Sequence, residues 1–301
     1  MTEISKEILE KYQVRKTKAQ KLEFIEFMRA HFPKMTVEEG GFIKNRNLVI
    51  GDLSSAKVVL TAHYDTCAVM PVPNFIMPKK PLLSLAYGFV IAIPMLAAAL
   101  LIGWAVGFVT QNPDISRPVY LIAFWAFLLS MFIGKPNKHT VNDNTSGVIT
   151  LVELLSTLPE ENSDVCFVFF DNEENGLLGS SFFAKKHKEE MADKLLINFD
   201  CVSDGDNLMF ILNKRAYPEY AEALKESFDE TEGKTVLIEK EKGTYYPSDQ
   251  KNFKKNMAVA ALKNGPFGLY MDRIHTPRDT VMDERNIEML ISGIQKFISK
   301  L

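Results

Sequence analysis

Residues 82–109, LLSLAYGFVIAIPMLAAALLIGWAVGFV, carry no charged side chain, and no other stretch restricts the possible folds so strongly. A helix that is apolar all round must be covered by protein or by lipid. Crossing a bilayer takes about 20 such residues, with a lower bound near 17. A polar connector, TQNPDISR, leads to a second uncharged run, PVYLIAFWAFLLSMFIG at 118–134. The first run is comfortably long and the second is marginal. Pro94 is tolerable in a membrane helix. Trp104 and Tyr120 suit interfacial anchoring, whereas Trp125 sits too deep in its run. The pair predicts a transmembrane hairpin with helices at about 82–109 and 118–134; a soluble lid or an oligomerisation hairpin is the alternative. Lys79 and Lys80 precede the hairpin, Lys135 and Lys138 follow it, and the connector holds only Arg117, with Asp114 nearby. The positive-inside rule then puts both flanking soluble segments in the cytoplasm. The N-terminal MTEISKEILEKYQVRK has no apolar stretch behind its charges and does not read as a secretory signal. An integral membrane protein with its soluble part facing the cytoplasm, and the lipid bilayer as a partner, is the expectation.

The soluble part reads as alternating strands and helices. Residues 16–30 have helical spacing, and MTVEE at 35–39 and FIKNRNLVIG at 42–51 are strand-like, with Gly40-Gly41 as the turn between them. Val58, Val59 and Leu60 begin a buried strand that ends at His63 and Asp65. A polar loop from 138 leads into a helix with an apolar face at Val148, Leu151, Val152, Leu154 and Leu155. Six apolar residues, Val165–Phe170, form a buried central strand, closed by Asp171 and Asn172 and followed by Glu173 and Glu174. Helices at 177–192, 217–229 and 284–300, and strands at 194–202, 207–212 and 234–239, complete the pattern. The expected fold is α/β, a mixed and mostly parallel central sheet with helices on both faces, plus the inserted helical hairpin. Segments 1–70 and 138–301 would form one discontinuous domain and 71–137 the insertion. The net charge of −3 gives no pull toward nucleic acid, and no nucleic-acid motif is present. Three cysteines without a CxxC argue against a disulfide framework.

Ligands bind at the carboxyl ends of strands in such sheets, and there the polar residues gather: His63, Asp65, Asp143, Glu173, Glu174, Asp200 and His275. Two imidazoles with several carboxylates, and no thiolate among them, suit zinc or a harder ion such as manganese or cobalt. Asp143, Glu174 and Asp200 contribute three negative charges, which two divalent cations and one hydroxide balance. Glu173 is then left over as a general base. Two divalent ions, zinc first and Mn2+ or Co2+ next, are the expected cofactors.

TAHYDT, NDNTSGV, FDNEENGLLGS, NFDCVSD, the SDQKNF loop and RIHTPRDT follow one another in an order that resembles peptidase family twenty-eight, over about residues 10–70 and 138–300. That family contains co-catalytic zinc aminopeptidases, and glutaminyl cyclases are relatives. The resemblance implies that His63 and Asp200 bind one metal, Glu174 and His275 the other, and that Asp143 bridges them. It also implies that Asp65 orients His63 and that Glu173 is the general base, acting on a metal-bridged hydroxide to hydrolyse N-terminal peptide bonds. Tyr245, Tyr246, Ser248 and Asp249 resemble the substrate-side loop, with an ordinary polar turn around Pro247 as the alternative. Two departures stand out: 77 residues separate Asp65 from Asp143, and SDQ stands where SDH is more usual.

The function that follows is a membrane-anchored di-metal aminopeptidase. The alternatives are an amidase of N-acyl or lipid-like amides, a glutaminyl-cyclase-like acyltransferase using one zinc, and a non-enzymatic scaffold. The partners expected are a peptide or amide substrate and the bilayer; oligomeric state is not legible. Because the insertion leaves and rejoins the chain beside metal ligands, and because Phe75, Ile76 and Met77 are apolar, the linker is expected to pack at the rim of the site. Apolar substrates would then arrive from the membrane.

Overall fold

Apolar side chains on both faces of a strand demand cover on both faces, and the central strands here have that character. In chain order the strands are β1 (Thr36–Gly40), β2 (Asn45–Ile50), β3 (Val58–His63), β4 (Val165–Phe170), β5 (Leu195–Phe199), β6 (Asn207–Leu212), β7 (Thr235–Lys240), β8 (Asn256–Gly265) and β9 (Gly268–Tyr270). The helices are α1 (Glu3–Lys11), α2 (Lys18–His31), α3 (Pro81–Thr110), α4 (Pro113–Ile133), α5 (Ser146–Thr157), α6 (Leu178–Lys186), α7 (Tyr217–Lys225) and α8 (Glu284–Ile298). This computed structural model describes the whole chain except Pro71, Pro73 and residues 159–163, and the side chains of Met131 and Phe132 are likewise outside it. Two prolines of the linker before α3, and the residues just after the helix that follows the polar loop, therefore lie outside the described residues.

The strands form one sheet in the order β1-β2-β4-β3-β5-β8-β6-β7, with β9 paired to β8. Parallel pairing joins β4, β3, β5 and β8, and also β6 and β7. The other four pairings are antiparallel, so the sheet is mixed, with its parallel character concentrated at the centre. Alternation along β4 shows how the core is divided. Val165, Phe167 and Phe169 pack with α1, α2, α5 and α8 on one face. Cys166, Val168 and Phe170 pack with Phe183 of α6 on the other. Each buried Phe or Val contributes roughly 1.5–3 kcal/mol relative to exposure. Helices on both faces agree with the expected α/β architecture.

Local signals explain several boundaries that differ from expectation. The helix expected at 177–192 stops at Lys186, because His187 caps it and a turn follows through Met191. The one expected to reach 229 ends at Lys225. An additional helix, α1, opens the chain; Thr2 caps it and Ile8 anchors it in the core.

The insertion is helical, but its connector is much shorter than the expected eight residues. Only Gln111 and Asn112 separate α3 from α4. Asn112 accepts a hydrogen bond from the Asp114 amide and Pro113 occupies the first helical position, so NPD starts a helix instead of prolonging a loop. Small residues bring the two helices together: a Cβ added at Gly103 would meet Tyr120 Cβ at 2.8 Å, and one at Gly107 would meet Ser116 Cβ at 3.1 Å. Leu82, Phe89, Val90, Ile93, Leu100 and Trp104 of α3 are exposed, as are Leu121, Ile122 and Trp125 of α4. Among the described residues, α3 is the one helix long and apolar enough to cross a membrane. The expectation of two membrane-crossing helices is therefore not supported for the second, whose apolar run begins only after Asp114 and Arg117 in its first turns.

Candidate metal centre

Parallel register aligns the carboxyl ends of three strands. His63 stands opposite Phe170, so the ends of β3 and β4 coincide, and β5 ends beside them before Asp200. His63 Nδ1 donates to the backbone carbonyl of Asp65 at 3.0 Å. A carbonyl can only accept, so the neutral ring keeps its lone pair at Nε2. That atom lies 3.4 Å from Asp143 Oδ1 and 3.6 Å from Asp200 Oδ1. The other oxygen of Asp143 lies 3.0 Å from His275 Nε2, which is also 3.3 Å from Glu174 Oε2. Asp143 thus faces a different imidazole with each oxygen.

Asp65 meets His63 through its backbone carbonyl, and its nearest carboxylate oxygen lies in ion-pair range, 3.7 Å from His63 Nδ1. The two carboxylate oxygens also accept the backbone amides of Glu173 at 2.9 Å and Glu174 at 3.3 Å. Residues two apart in extended chain share a side, but the chain leaves the strand at His63, and the carboxylate swings toward the end of β4. The turn before Glu173 is held by Lys21, whose ammonium donates to Asp171 Oδ1 at 2.5 Å and Asn172 Oδ1 at 2.8 Å.

The NDNTSG segment is a knot of hydrogen bonds. The amides of Asn142 and Asp143 donate to the two oxygens of Asp279 at 2.7 and 3.0 Å. Asn142 Oδ1 accepts from the amides of Ser203 and Asp204. Asn144 Nδ2 donates to the Phe199 carbonyl and its Oδ1 accepts from the Cys201 amide, which ties Asp143 to the segment carrying Asp200. A Cβ at Gly147 would come within 2.4 Å of both Asn144 Oδ1 and the Phe199 carbonyl, so only glycine fits there. Arg15, fully buried, donates to the carbonyls of Tyr64 and Tyr12 and to Thr145 Oγ1, joining the end of β3 to this turn.

Three residues here escaped the sequence reading. Arg15 and Asp279 are single charges whose partners lie far away in the chain, although Asp279 sits inside the RDT of the last motif. Cys67 is the third: its sulfur lies within 4.8 Å of donor atoms of Glu174 and His275. A single cysteine two residues past an HxD gives no metal-ligand spacing to notice.

The charges of the cluster oppose one another. Burial works against a charge on His63, but Glu173, Asp143, Asp200 and Asp65 outweigh it and raise the imidazole pKa well above its usual value. Burial likewise opposes charge on His275, while Glu174 and Asp143 carry it up to about 9. Asp143 resists burial and is held below the usual carboxylate range by His275 and His63. Glu173 is pushed well above that range by burial, against the pull of His63 and with Glu174, Asp249 and Asp200 adding to the rise. Burial takes Glu174 to about 8, with His275 lowering and Asp143 raising it. Glu174 Oε1 is buried with no hydrogen-bond partner.

A buried orphan oxygen, and imidazoles that must be protonated to offset carboxylates, are what a cation would resolve. The donors fall into two sets: His63, Asp143 and Asp200 in one, and Cys67, Glu174 and His275 in the other. Imidazole and carboxylate, with a thiol at one edge, fit a divalent metal of the zinc type.

The loop residues divide. Tyr246 is buried and its hydroxyl donates to the Asp200 carbonyl. Ser248 is buried and accepts from Asn198 Nδ2 at 3.0 Å. Tyr246 thus holds the backbone of Asp200, and Ser248 holds Asn198 of β5. Asp249 is buried, neither of its oxygens has a hydrogen-bond partner, and burial raises its pKa to about 7. Tyr245 is exposed, with its amide bound to the Pro78 carbonyl of the linker. The linker does pack at the rim: Ile76 bridges to Met271, and the Met70 amide donates to the His275 carbonyl at 2.8 Å.

Comparison with known proteins bears on the family and the fold. The sequence profile described as Peptidase family M28 matches residues 120–294. No curated protein matches the chain in sequence. Among solved structures, the chain is similar to the LapA aminopeptidase of Legionella pneumophila (TM-score 0.57, 12% identity, covering 98% of this chain and 69% of that one). It is similar to a Zn-dependent exopeptidase of Parabacteroides distasonis (TM-score 0.59, 14% identity, 98% and 94% covered). It is also similar to the glutaminyl cyclase of Porphyromonas gingivalis (TM-score 0.58, 14% identity, 99% and 95% covered). At such identities these likenesses concern the fold.

Proposed function

The chain belongs to peptidase family M28, and from that premise we propose that it is a membrane-anchored, metal-dependent aminopeptidase-type hydrolase. The observation that carries this reading is Asp143, one oxygen toward His63 and the other toward His275. His63 and Asp200 would hold one divalent ion, Glu174 and His275 a second, and Asp143 would serve both; zinc suits these donors first, with manganese or cobalt behind it. Bound there, the ions would polarise the scissile carbonyl and ease deprotonation of a water.

Glu173 belongs to neither donor set, and Asp65 fixes its backbone. Left free of metal, the Glu173 carboxylate is suited to take a proton from water and pass it to the leaving amine. Tyr245 is the exposed member of the loop read as facing the substrate, whereas Tyr246 holds the backbone of Asp200 and Ser248 holds Asn198. Residues 1–70 and 138–301 form the catalytic part in this reading, and 71–137 the anchor.

α3 carries the anchoring. The chain leaves the soluble part at Pro81 and rejoins it at Lys135, whose carbonyl accepts the Val69 amide at 2.9 Å. A crossing by α3 thus obliges α4 to return. With 21 residues α4 extends ~32 Å at 1.5 Å per residue, against a hydrocarbon core of ~30 Å. The lysines at both bases favour a cytoplasmic catalytic part.

Similarity to a glutaminyl cyclase supports a second reading, acyl transfer at an N-terminal Gln with one zinc. Metal analysis together with turnover of aminoacyl amides, N-acyl amides and Gln-initiated peptides separates the two. Two ions per chain with release of an N-terminal residue supports the hydrolase; one ion with cyclisation replaces it.

A further inference from the structure

One cavity of about 400 Å³ joins the metal centre to the hairpin. Glu174 and His275 line its inner end. Glu174 is nine-tenths buried, with Oε1 unpaired. Lys16, Asn74 and, from α4, Leu128 also line the cavity, but the largest share of its wall is α3, and two stripes of that helix shape it. Ser84, Gly88 and Ala92 recur every fourth residue as a floor of small side chains; Tyr87, Ile91 and Met95 recur likewise as a taller apolar side. A Cβ built on Gly88 meets nothing within 4 Å, so the floor there is open. The base of α3 is fixed at the mouth, because Phe75 stacks on Tyr270 at 5.1 Å and packs against Tyr87 at 5.5 Å.

The stripe from Tyr87 to Met95 is about 12 Å long at 1.5 Å per residue. Three or four extended peptide residues have that length, at roughly 3.3–3.6 Å each. A peptide would nevertheless be poorly served. The backbone of a helix is already hydrogen-bonded to itself and offers no ladder like the sheet edges on which extended peptides dock. Ser84 Oγ is also engaged, by the Met77 amide at 3.0 Å. A hydrocarbon chain brings no polar group of its own that the helix wall must satisfy. The neighbouring Phe89 and Val90 are exposed on the same apolar helix, so such a chain can enter directly from lipid.

We propose that this groove is the subsite for a single hydrocarbon chain attached to the scissile amide, and that the substrate is a lipid-like amide drawn from the bilayer. The proposal rests on the hydrolase reading above. Water adds across the C–N bond to give a carboxylic acid and an amine, and no further reactant is needed.

The test uses the metal-loaded full chain in phosphatidylcholine vesicles with alanine dodecylamide, alanine ethylamide and the peptide Ala-Leu-Leu-Leu. The dodecylamide should have the highest kcat/KM of the three. Gly88→Leu fills the floor and, at a factor of about four per excluded methylene, should lower the dodecyl-to-ethyl ratio tenfold or more. Partition into the vesicle cancels when this ratio is compared with wild type. Val90→Ala, outside the groove, should leave the ratio unchanged. An unaltered ratio in Gly88→Leu, or a preference for the peptide, overturns the proposal. Should wild type split no amide at all, the hydrolase reading fails, and binding still decides the groove. Gly88→Leu must then narrow the affinity gap between dodecyl hydroxamate and acetohydroxamate tenfold or more, and an equal gap overturns it.

Discussion

Asp65→Asn separates two jobs that one carboxylate could perform at this site. Both Asp65 oxygens accept amides, from Glu173 at 2.9 Å and Glu174 at 3.3 Å, while His63 is held by the Asp65 backbone carbonyl, which the substitution leaves in place. Asparagine keeps one acceptor and turns an NH2 group toward the other amide. One charge-assisted bond is lost, worth about 1.5–3 kcal/mol at this buried position. The loss falls on the placement of Glu174 and Glu173, so the Glu174–His275 side should lose metal affinity by roughly 10- to 100-fold, at ~1.36 kcal/mol per decade. Competition with a chelator, measured in an Asp200→Ala background and in a His275→Ala background, reads the two sides separately. The Asp200→Ala background should show most of the loss. If the loss falls instead on the His275→Ala background, Asp65 acts through His63 and the reasoning is refuted.

Three further outcomes follow from the same geometry. Glu173→Gln should retain its metals and lose ~10²–10⁴-fold in kcat, since a proton carrier is removed and no ligand; near-normal turnover of the loaded variant would remove that role. Metal binding should release protons, because Glu174 titrates near 8 and His275 near 9 in the metal-free protein and both must be unprotonated to bind. At pH 7 both are mostly protonated, and His63, whose pKa is also raised, adds to them, so affinity should climb with pH until it passes about 9; calorimetry in buffers of different ionisation heat should count at least two protons released at pH 7, and none would contradict the cluster as described. Gln111→Cys, at the tip between α3 and α4, should react with a membrane-impermeant thiol reagent on intact cells, whereas buried Cys67, Cys166 and Cys201 should not; no labelling at the tip would reverse or abolish the proposed topology.

What the sequence made legible follows from physical locality. β4 could be read because its six apolar residues leave no alternative to full burial, and Glu173 and Glu174 could be located because they directly follow that strand. His63, Asp143, Asp200 and His275 come together only through parallel register and the loops that cross it, which no spacing encodes; their motifs carried the reading. Arg15 and Asp279 were invisible because each acts on a partner more than a hundred residues away. The start of α4 was misread for a nearer reason. Asn-Pro-Asp is equally a turn and a helix cap, and packing of Ser116 and Tyr120 against Gly107 and Gly103 decides for the helix. The groove beside the metal centre had no sequence signature, since Gly88 in an apolar run looks like any small residue.

The account stands most directly on Asp143. Its two oxygens face two imidazoles, and it is the group both proposed ions would share. Metal content of purified, dialysed Asp143→Ala, measured beside wild type by plasma mass spectrometry, tests this without any assumption about substrate. The account predicts two tightly held ions per wild-type chain and at most one in the variant. Two ions retained in the variant would contradict it.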